Sequence, residues 1–542
     1  MKLKTYFSKE RIQVIAVFLV TMLICLMPLF SVNCIQGHDL DYHLLRIESL
    51  KEAILMGRPF LKINALFFGG RGYASSLFYP DFLLYFPAAL RSLGVSINLS
   101  YHCFVALCFV AAYLAMYYCV NLITDNKYMA MLAAVIYSLA QYHLDDVYTR
   151  AAVGEFSAYI FIPFLLYGLY QMLYGKMEKP YLMIIGFVGV VLCHTITTIL
   201  FIGVYIIGFI LSAKKLYKSK KLVTLIISGI IVITLTSFYW MPVIEQLLSA
   251  SFSGAAEFDL NYEKLMLYDL FTNKNPGLGA VLFVPLILRI FVDNKNAKVK
   301  FADFCLVMGL LLALVSTGIM PWKRLQGLFG FMQFPWRVFM AATPLLAVAG
   351  AIYLIESFKA KEKIVISIII AVFGVSAVNT YARLDQGYYS YSNDYYDYDE
   401  YTGNVIGGEW LPQTVKSVGK LTKNCDTAIS DIGNINVDRY KNELSFTADG
   451  GSYVDVPFIF YKGYTASVNG KEIKVDGLGD NGMCRVYTDG LSGETVKVMY
   501  KATTIQLISI ALSIFGLIGF VLFYAFERDG KFPMSLKRRK AF

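Results

Sequence analysis

Residues Ile12 to Leu50 read IQVIAVFLVTMLICLMPLFSVNCIQGHDLDYHLLRIESL. The first half, Ile12–Phe30, is an apolar run of the length that crosses a bilayer. It is too long for the core of a secretory signal, and no small-residue cleavage site follows, so it reads as a retained span. Just beyond it, two aspartates, two histidines, an arginine and a glutamate crowd into Gln36–Leu50. Ionisable groups near membrane depth cost several kcal/mol unless paired or hydrated, so such crowding is a functional signal. The plainer reading is that water-facing loops are polar because they are loops.

The rest of the chain supports a membrane setting. Of 542 residues, 57% are hydrophobic and 16% charged, and the mean hydropathy is +0.55. Soluble chains carry about 25% charge. Apolar runs recur along the sequence, which predicts a polytopic helical membrane protein. The nine cysteines form no CxxC pair, and most sit in apolar runs as small buried hydrophobes. A disulfide between Cys425 and Cys484 is compatible with the sequence, but spacing does not decide it.

The net charge of +10 implies no nucleic-acid partner, because its distribution follows a membrane rule. Lys and Arg cluster at 2–11, 176–179, 214–221, 295–300, 359–363 and 537–540. Short basic loops stay cytoplasmic. About twelve spans, at 12–30, 100–122, 128–142, 156–174, 180–193, 195–213, 222–243, 277–292, 302–319, 336–356, 363–380 and 503–526, put every cluster and both termini inside. Ser75–Gly94 looks like a further span, but Pro80, Asp81, Pro87 and Arg91 suit a juxtamembrane or re-entrant segment. The scheme also requires 180–213 to be two short spans split at His194.

This gives three regions: a transmembrane domain over 1–382 with an outer loop at 31–99, an extracytoplasmic β-rich domain over 383–502, and a last span with a basic tail over 503–542. Period-two alternation in the middle region predicts a small β-sandwich, with a hairpin turn at Val468-Asn469-Gly470-Lys471. Its tyrosine-rich entry, YYSYSNDYYDYDEYTGN followed by GEWLP, suits glycan binding or a cap over the membrane site.

All five histidines then fall at the outer interface, with Asp39, Asp41, Asp145, Asp146, Arg150, Glu155 and Arg337. Asp39-Leu40-Asp41 is a DxD whose carboxylates suit a general base or a divalent cation. A helix over 41–57 would set Asp41 and Arg46, or His43 and Arg46, near one face, and Glu48–Glu52 on a solvated face. Arg150 and Glu155 form a second group in YTRAAVGEFSAYIFIP, and Arg337 lies in QFPWRVFM. Arginine is the planar partner for phosphate oxygens; arginines snorkelling to the headgroups are the competing explanation. His102 and His143 read as interfacial aromatics. There is no Walker loop, GxSxG elbow, HExxH motif or metal-spaced Cys/His set.

The order of these elements is similar to the C-type (GT-C) membrane glycosyltransferases. More closely, GHDLDYHLLRIE, GGRGYASSLFYPD, YTRAAVGEF, QFPWR and GEWLP resemble the bacterial YfhO-type proteins and the membrane family labelled 6-pyruvoyl-tetrahydropterin-synthase-related. The resemblance covers residues 10–380 well and the C-terminal region loosely. It implies a GT-C fold and transfer of a sugar from a polyprenyl-phosphate donor to a cell-envelope acceptor, such as a teichoic acid or another wall polymer, on the outer face. It makes Asp39 or Asp41 the catalytic acid of the first loop and Glu155 the acid of the second. Arg-x-x-x-x-Glu stands where relatives carry a DxD or ExD, which argues against metal at that loop. Pterin-synthase chemistry is not supported, since it needs clustered histidine ligands. On this reading Asp39 or Asp41 takes the acceptor proton, Arg150 and Arg337 hold the leaving phosphate, and His38, His43, Arg46 and His194 position substrate. A divalent cation, if one is used, would sit at Asp39 and Asp41. The alternatives are a lipid-linked substrate transporter or flippase, and a non-catalytic envelope assembly or glycan-binding protein.

Overall fold

The structure is a computed structural model that describes residues 9–219, 221–253, 258–272, 276–359, 361–382, 384, 388–389, 408–422, 426–440 and 443–528. Apart from Tyr388 and Tyr389 the tyrosine-rich linker lies outside these residues, as do Cys425 and the basic C-terminal tail.

Helices occupy nearly every apolar run expected to be a span. They include Lys9–Cys25, Ile97–Thr124, Lys127–Leu139, Ile162–Leu173, Pro180–Val191, Thr195–Tyr217, Ala297–Val315, Phe339–Ser357, Glu362–Tyr381 and Thr504–Arg528. Length separates them into two kinds. Among the described residues, five helical segments are long and apolar enough to cross a bilayer singly, and the bent pair Lys221–Leu235 and Ser237–Ser249, taken as one span, makes a sixth. Lys127–Leu139, Ile162–Leu173, Pro180–Val191 and Ala280–Phe291 are shorter apolar segments. At 1.5 Å per residue, a twelve-residue helix covers about 18 Å of a ~30 Å core. Helix length alone therefore supports fewer than the twelve spans expected.

The break at His194 is present. The Thr195–Tyr217 helix starts there, with the His194 side chain as N-cap accepting from the Thr197 backbone N–H at 3.3 Å. Ser75–Gly94 is likewise broken: Ser75–Phe78 and Tyr85–Ser92 are separate helices around Pro80 and Asp81. The Pro335–Ser357 segment is the centre of the bundle, its most apolar window wholly buried.

The 66° bend at Thr236 is supported by the last helix. Ser513 Oγ accepts from the Phe238 backbone N–H at 2.9 Å and also meets the Ser237 hydroxyl at 2.9 Å. A neighbouring hydroxyl thus satisfies backbone freed by a helix break at membrane depth. Gly516 permits the approach, since a Cβ there would lie 2.6 Å from the Leu235 nitrogen.

The C-terminal region is β-rich, as expected. Strands β1 (Cys34–Ile35) and β2 (Tyr388–Tyr389) pair antiparallel and tie the loop after the first helix to the segment after the Glu362–Tyr381 helix. The others are β3 (Thr427–Ser430), β4 (Asn434–Tyr440), β5 (Glu443–Asp449), β6 (Tyr453–Ile459), β7 (Tyr464–Val468), β8 (Lys471–Ile473), β9 (Val475–Asp476), β10 (Met483–Tyr487) and β11 (Ser492–Tyr500). They run in the order β8-β7-β11-β5-β4-β3-β6-β10-β9, and every pairing is antiparallel. The β7–β8 turn is the predicted one. Val468 pairs with Lys471, and Asn469 and Gly470 take φ of 50° and 80°, the signature of a type I′ turn.

One expectation is corrected. The Leu40–Leu55 helix does not present Glu48 to solvent. Glu48 is 3% exposed and pairs with Arg91, Oε1 to Nε at 2.5 Å and Oε2 to Nη2 at 3.2 Å. The physical reason is that the Tyr85–Ser92 helix folds back over that face and brings a compensating charge.

Candidate functional site

Gly37 sets the geometry. A Cβ there would stand 2.5 Å from the Ala151 Cβ and 2.9 Å from its nitrogen, so only glycine admits this approach. The chain can therefore lie against 149–150: the His38 N–H donates to the Thr149 carbonyl at 3.1 Å and the Asp39 N–H to the Arg150 carbonyl at 2.9 Å. Two loops are zipped by backbone, and Asp39 is fixed beside the second polar group at the head of the Leu40–Leu55 helix.

Around it the charges converge. Arg150 sends Nη1 to Asp146 Oδ1 at 2.6 Å and Nη2 to Glu155 Oε1 at 2.9 Å. Arg337, from the start of the buried central segment, donates through Nε to the same Glu155 oxygen at 3.1 Å. Tyr142 donates to the other oxygen, Oε2, at 3.0 Å. Trp336 lies under the Arg150 guanidinium at 4.7 Å, a cation–π contact. Gln333 accepts from Arg337 and donates to Glu409 Oε1 at 2.9 Å. Four separate stretches of chain thus supply one polar network.

The protonation tendencies sort its acids. Burial opposes the charge on Glu155, but Arg150, Arg337 and His194 outweigh it and hold the carboxyl well below the usual carboxylate range. Asp146 goes the other way, raised by burial and by the negative charge of Glu155 despite Arg150. Burial raises Asp39 against the pull of Arg150 and Arg337, and Glu155 adds to the rise. Glu409 is raised by burial, with the Asp39 charge pushing the same way. The site therefore holds one firmly ionised acid and three reluctant ones, an arrangement that separates a structural anion from proton-accepting carboxylates.

His194 stands at the edge of the group and feels Glu155, Arg337 and Arg150; burial lowers it to about 4. Its Nδ1 lies 2.8 Å from the Thr197 hydroxyl, so it is a neutral, oriented imidazole near neutral pH. His38 is exposed beside Asp39. Asp41 sits in the first turn of the Leu40–Leu55 helix, half-buried.

His43 and Arg46 meet as expected on one helix face, Nδ1 to Nη1 at 3.2 Å. Arg46 is fully buried, and its Nη2 bonds Asp81 Oδ1 at 2.5 Å and the Pro80 carbonyl at 2.8 Å. These donors hold the Ser75–Gly94 segment to the helix, and the guanidinium lies 4.4 Å over the Tyr79 ring. Burial and Arg46 both push His43 well below its ordinary value, so it is neutral. His102 and His143 are buried: His102 Nε2 meets Cys34 Sγ at 3.5 Å, and His143 stacks on Tyr159 at 3.8 Å.

Several residues of this site were not singled out from sequence. Trp410 stacks on Phe78 at 5.9 Å and on Tyr79 at 5.9 Å, forming an aromatic wall beside the acids. Glu409 and Trp410 come from GEWLP, the lead-in to the β-rich region. Asp146 was singled out only as an outer-interface acid; it stands four residues before Arg150, a spacing that favours a helical ion pair. Asp81 was read from sequence only as one of the residues that suit a juxtamembrane or re-entrant segment. Among the described residues no group of three or more His, Cys, Asp or Glu side chains is arranged to hold a metal ion.

A helical bundle, a β-rich region and a charge network between their connecting loops define a polytopic membrane protein. The chain belongs to the family described as 6-pyruvoyl-tetrahydropterin synthase related domain, membrane protein, whose model matches residues 77–385. An uncharacterised protein of Lactococcus lactis subsp. cremoris (strain MG1363) is 24% identical over 343 residues, 58% of this chain and 55% of that protein. The chain thus spans about half of that relative's length. Among solved structures, the mycobacterial arabinofuranosyltransferase AftD aligns with 69% of this chain and 27% of its own, at 15% identity and a TM-score of 0.42. A likeness at that level does not define the fold.

Proposed function

We propose that the chain is a membrane glycosyltransferase of GT-C type that moves a sugar from a polyprenyl-phosphate donor to a cell-envelope acceptor on the β-domain face of the membrane. The observation that carries this reading is the placement of Asp39. It is a carboxylate with a raised proton affinity, fixed by backbone beside the buried Arg150 and the half-buried Arg337.

In this mechanism Asp39 takes the proton of the acceptor hydroxyl. That oxygen attacks the anomeric carbon, and the bond from this carbon to the lipid phosphate oxygen breaks with its electron pair going to the phosphate. Arg150 and Arg337 neutralise the departing charge. They share Glu155 Oε1 at rest, so a phosphate oxygen needs only to take the place of that carboxylate oxygen as the acceptor for one of the two arginines. Tyr142 retains Oε2 and keeps Glu155 in place during the exchange. The leaving group is already activated, so positioning, deprotonation and charge compensation are the main tasks of the protein. The Trp410–Tyr79 wall suits the apolar face of a sugar ring.

The test is transfer of label from a polyprenyl-phosphate sugar pool into envelope fractions by membranes holding the wild type or Asp39→Asn at matched levels. Label that depends on the protein and on Asp39 supports the reading; label indifferent to the protein removes it.

A further inference from the structure

A cavity lies away from the charge network, where the last helix passes the bent pair and the edge of the β-rich region. It has a volume of about 680 Å³, within the roughly 300–1,000 Å³ typical of small-molecule sites. Its lower wall is apolar: Leu235 and Phe238 flank the bend, and Ile510, Ile514 and Leu517 project from the Thr504–Arg528 helix. These last three are 47%, 55% and 54% exposed. On a membrane-crossing helix such faces meet acyl chains. Its upper rim is cationic. Arg58, Lys62 and Glu443 line it, and Arg58 pairs with Glu443, which leaves Lys62 in excess.

Lys62 is deeply placed for an ammonium. Burial lowers its proton affinity, and Asp81 offsets this only in part. Asp81 is itself bonded through Oδ1 to Nε and Nη2 of Arg46. Among the described residues Lys62 makes no ion pair of its own. An amine over an apolar slot that opens toward lipid calls for a ligand with an anionic head and hydrocarbon tails.

We propose that this groove binds one anionic phospholipid of the bilayer, its phosphate at Lys62 and its chains along Ile510, Ile514 and Leu517. The lipid would wedge the last helix against the first outer loop and the β4 and β11 strands, through Tyr440 and Met499 on the rim. The site stands independently of the transferase reading, because the groove shares no residue with the Asp39 network.

The full chain, reconstituted in nanodiscs of phosphatidylglycerol or of phosphatidylcholine, tests it by thermal unfolding and by mass spectrometry of the lipid retained after detergent extraction. The wild type should melt higher in phosphatidylglycerol and retain it. Lys62→Ala should retain about fivefold less and lose the melting difference, whereas Lys62→Arg should keep both. Ile514→Trp fills the slot without altering charge and should also expel the lipid, which keeps the test valid if Lys62→Ala folds poorly. Equal melting of the wild type in both lipids, undiminished retention by Lys62→Ala and Ile514→Trp, or retention of a prenyl phosphate in place of phospholipid would each overturn the proposal.

Discussion

Arg337 Nε reaches Glu155 Oε1 at 3.1 Å across 182 residues of chain, on the oxygen that also accepts from Arg150 Nη2 at 2.9 Å. One buried carboxylate therefore joins the Arg150–Glu155 stretch to the central segment. Removing one partner of a buried pair leaves uncompensated charge. Glu155→Gln should destabilise the protein by about 3–5 kcal/mol, seen as a lower midpoint of thermal unfolding in detergent. An unchanged midpoint would show that the arginines have another anion.

The raised proton affinity of Asp39 gives a pH dependence with a definite sign. A general base works ionised, so activity is present above its pKa and falls as pH drops through it. The acid limb of kcat/KM should therefore lie above the usual aspartate value of about 3.9. Glu409 and Asp39 repel, so Glu409→Gln relieves Asp39 and should move that limb to lower pH. A limb that stays in place would separate Glu409 from the base.

Gly154 faces Tyr79 and the loop before His194. A Cβ at 154 would fall 2.1 Å from Tyr79 Oη and 2.9 Å from the Cys193 carbonyl. Gly154→Ala should displace Tyr79 from the aromatic wall at an overpacking cost of about 1–3 kcal/mol, and raise KM for the sugar donor more than it lowers kcat. Wild-type kinetics in this variant would remove the wall from substrate binding.

In the proposed mechanism Arg150 and Arg337 compensate the charge, which predicts transfer without a divalent cation. Chelation with EDTA followed by desalting should leave the rate unchanged. Loss of activity restored by Mg²⁺ would instead assign the cation to Asp39 together with substrate phosphate.

The helices and strands were largely legible in the sequence because their signals are local. Apolar length marked the helical runs, His194 marked a break, and Asn469-Gly470 marked a hairpin. Helix length within the bundle was less so, since Ile162–Leu173 and Pro180–Val191 are apolar for reasons of packing as much as of crossing. At the site, Asp39, Arg150, Glu155 and Arg337 stood out as charges beside apolar runs. Glu409 did not, because only the fold carries it from the β-domain lead-in to Gln333. Glu48 was misjudged for the same reason: its partner, Arg91, lies 43 residues away, beyond any local pattern.

The central claim is that Asp39 is the base, and the most direct measurement compares label transfer by Asp39→Asn and Asp41→Asn at matched membrane levels. The account predicts a fall of about 10²–10⁴-fold for Asp39→Asn, with Asp41→Asn retaining most of the activity. Full transfer by Asp39→Asn would contradict it.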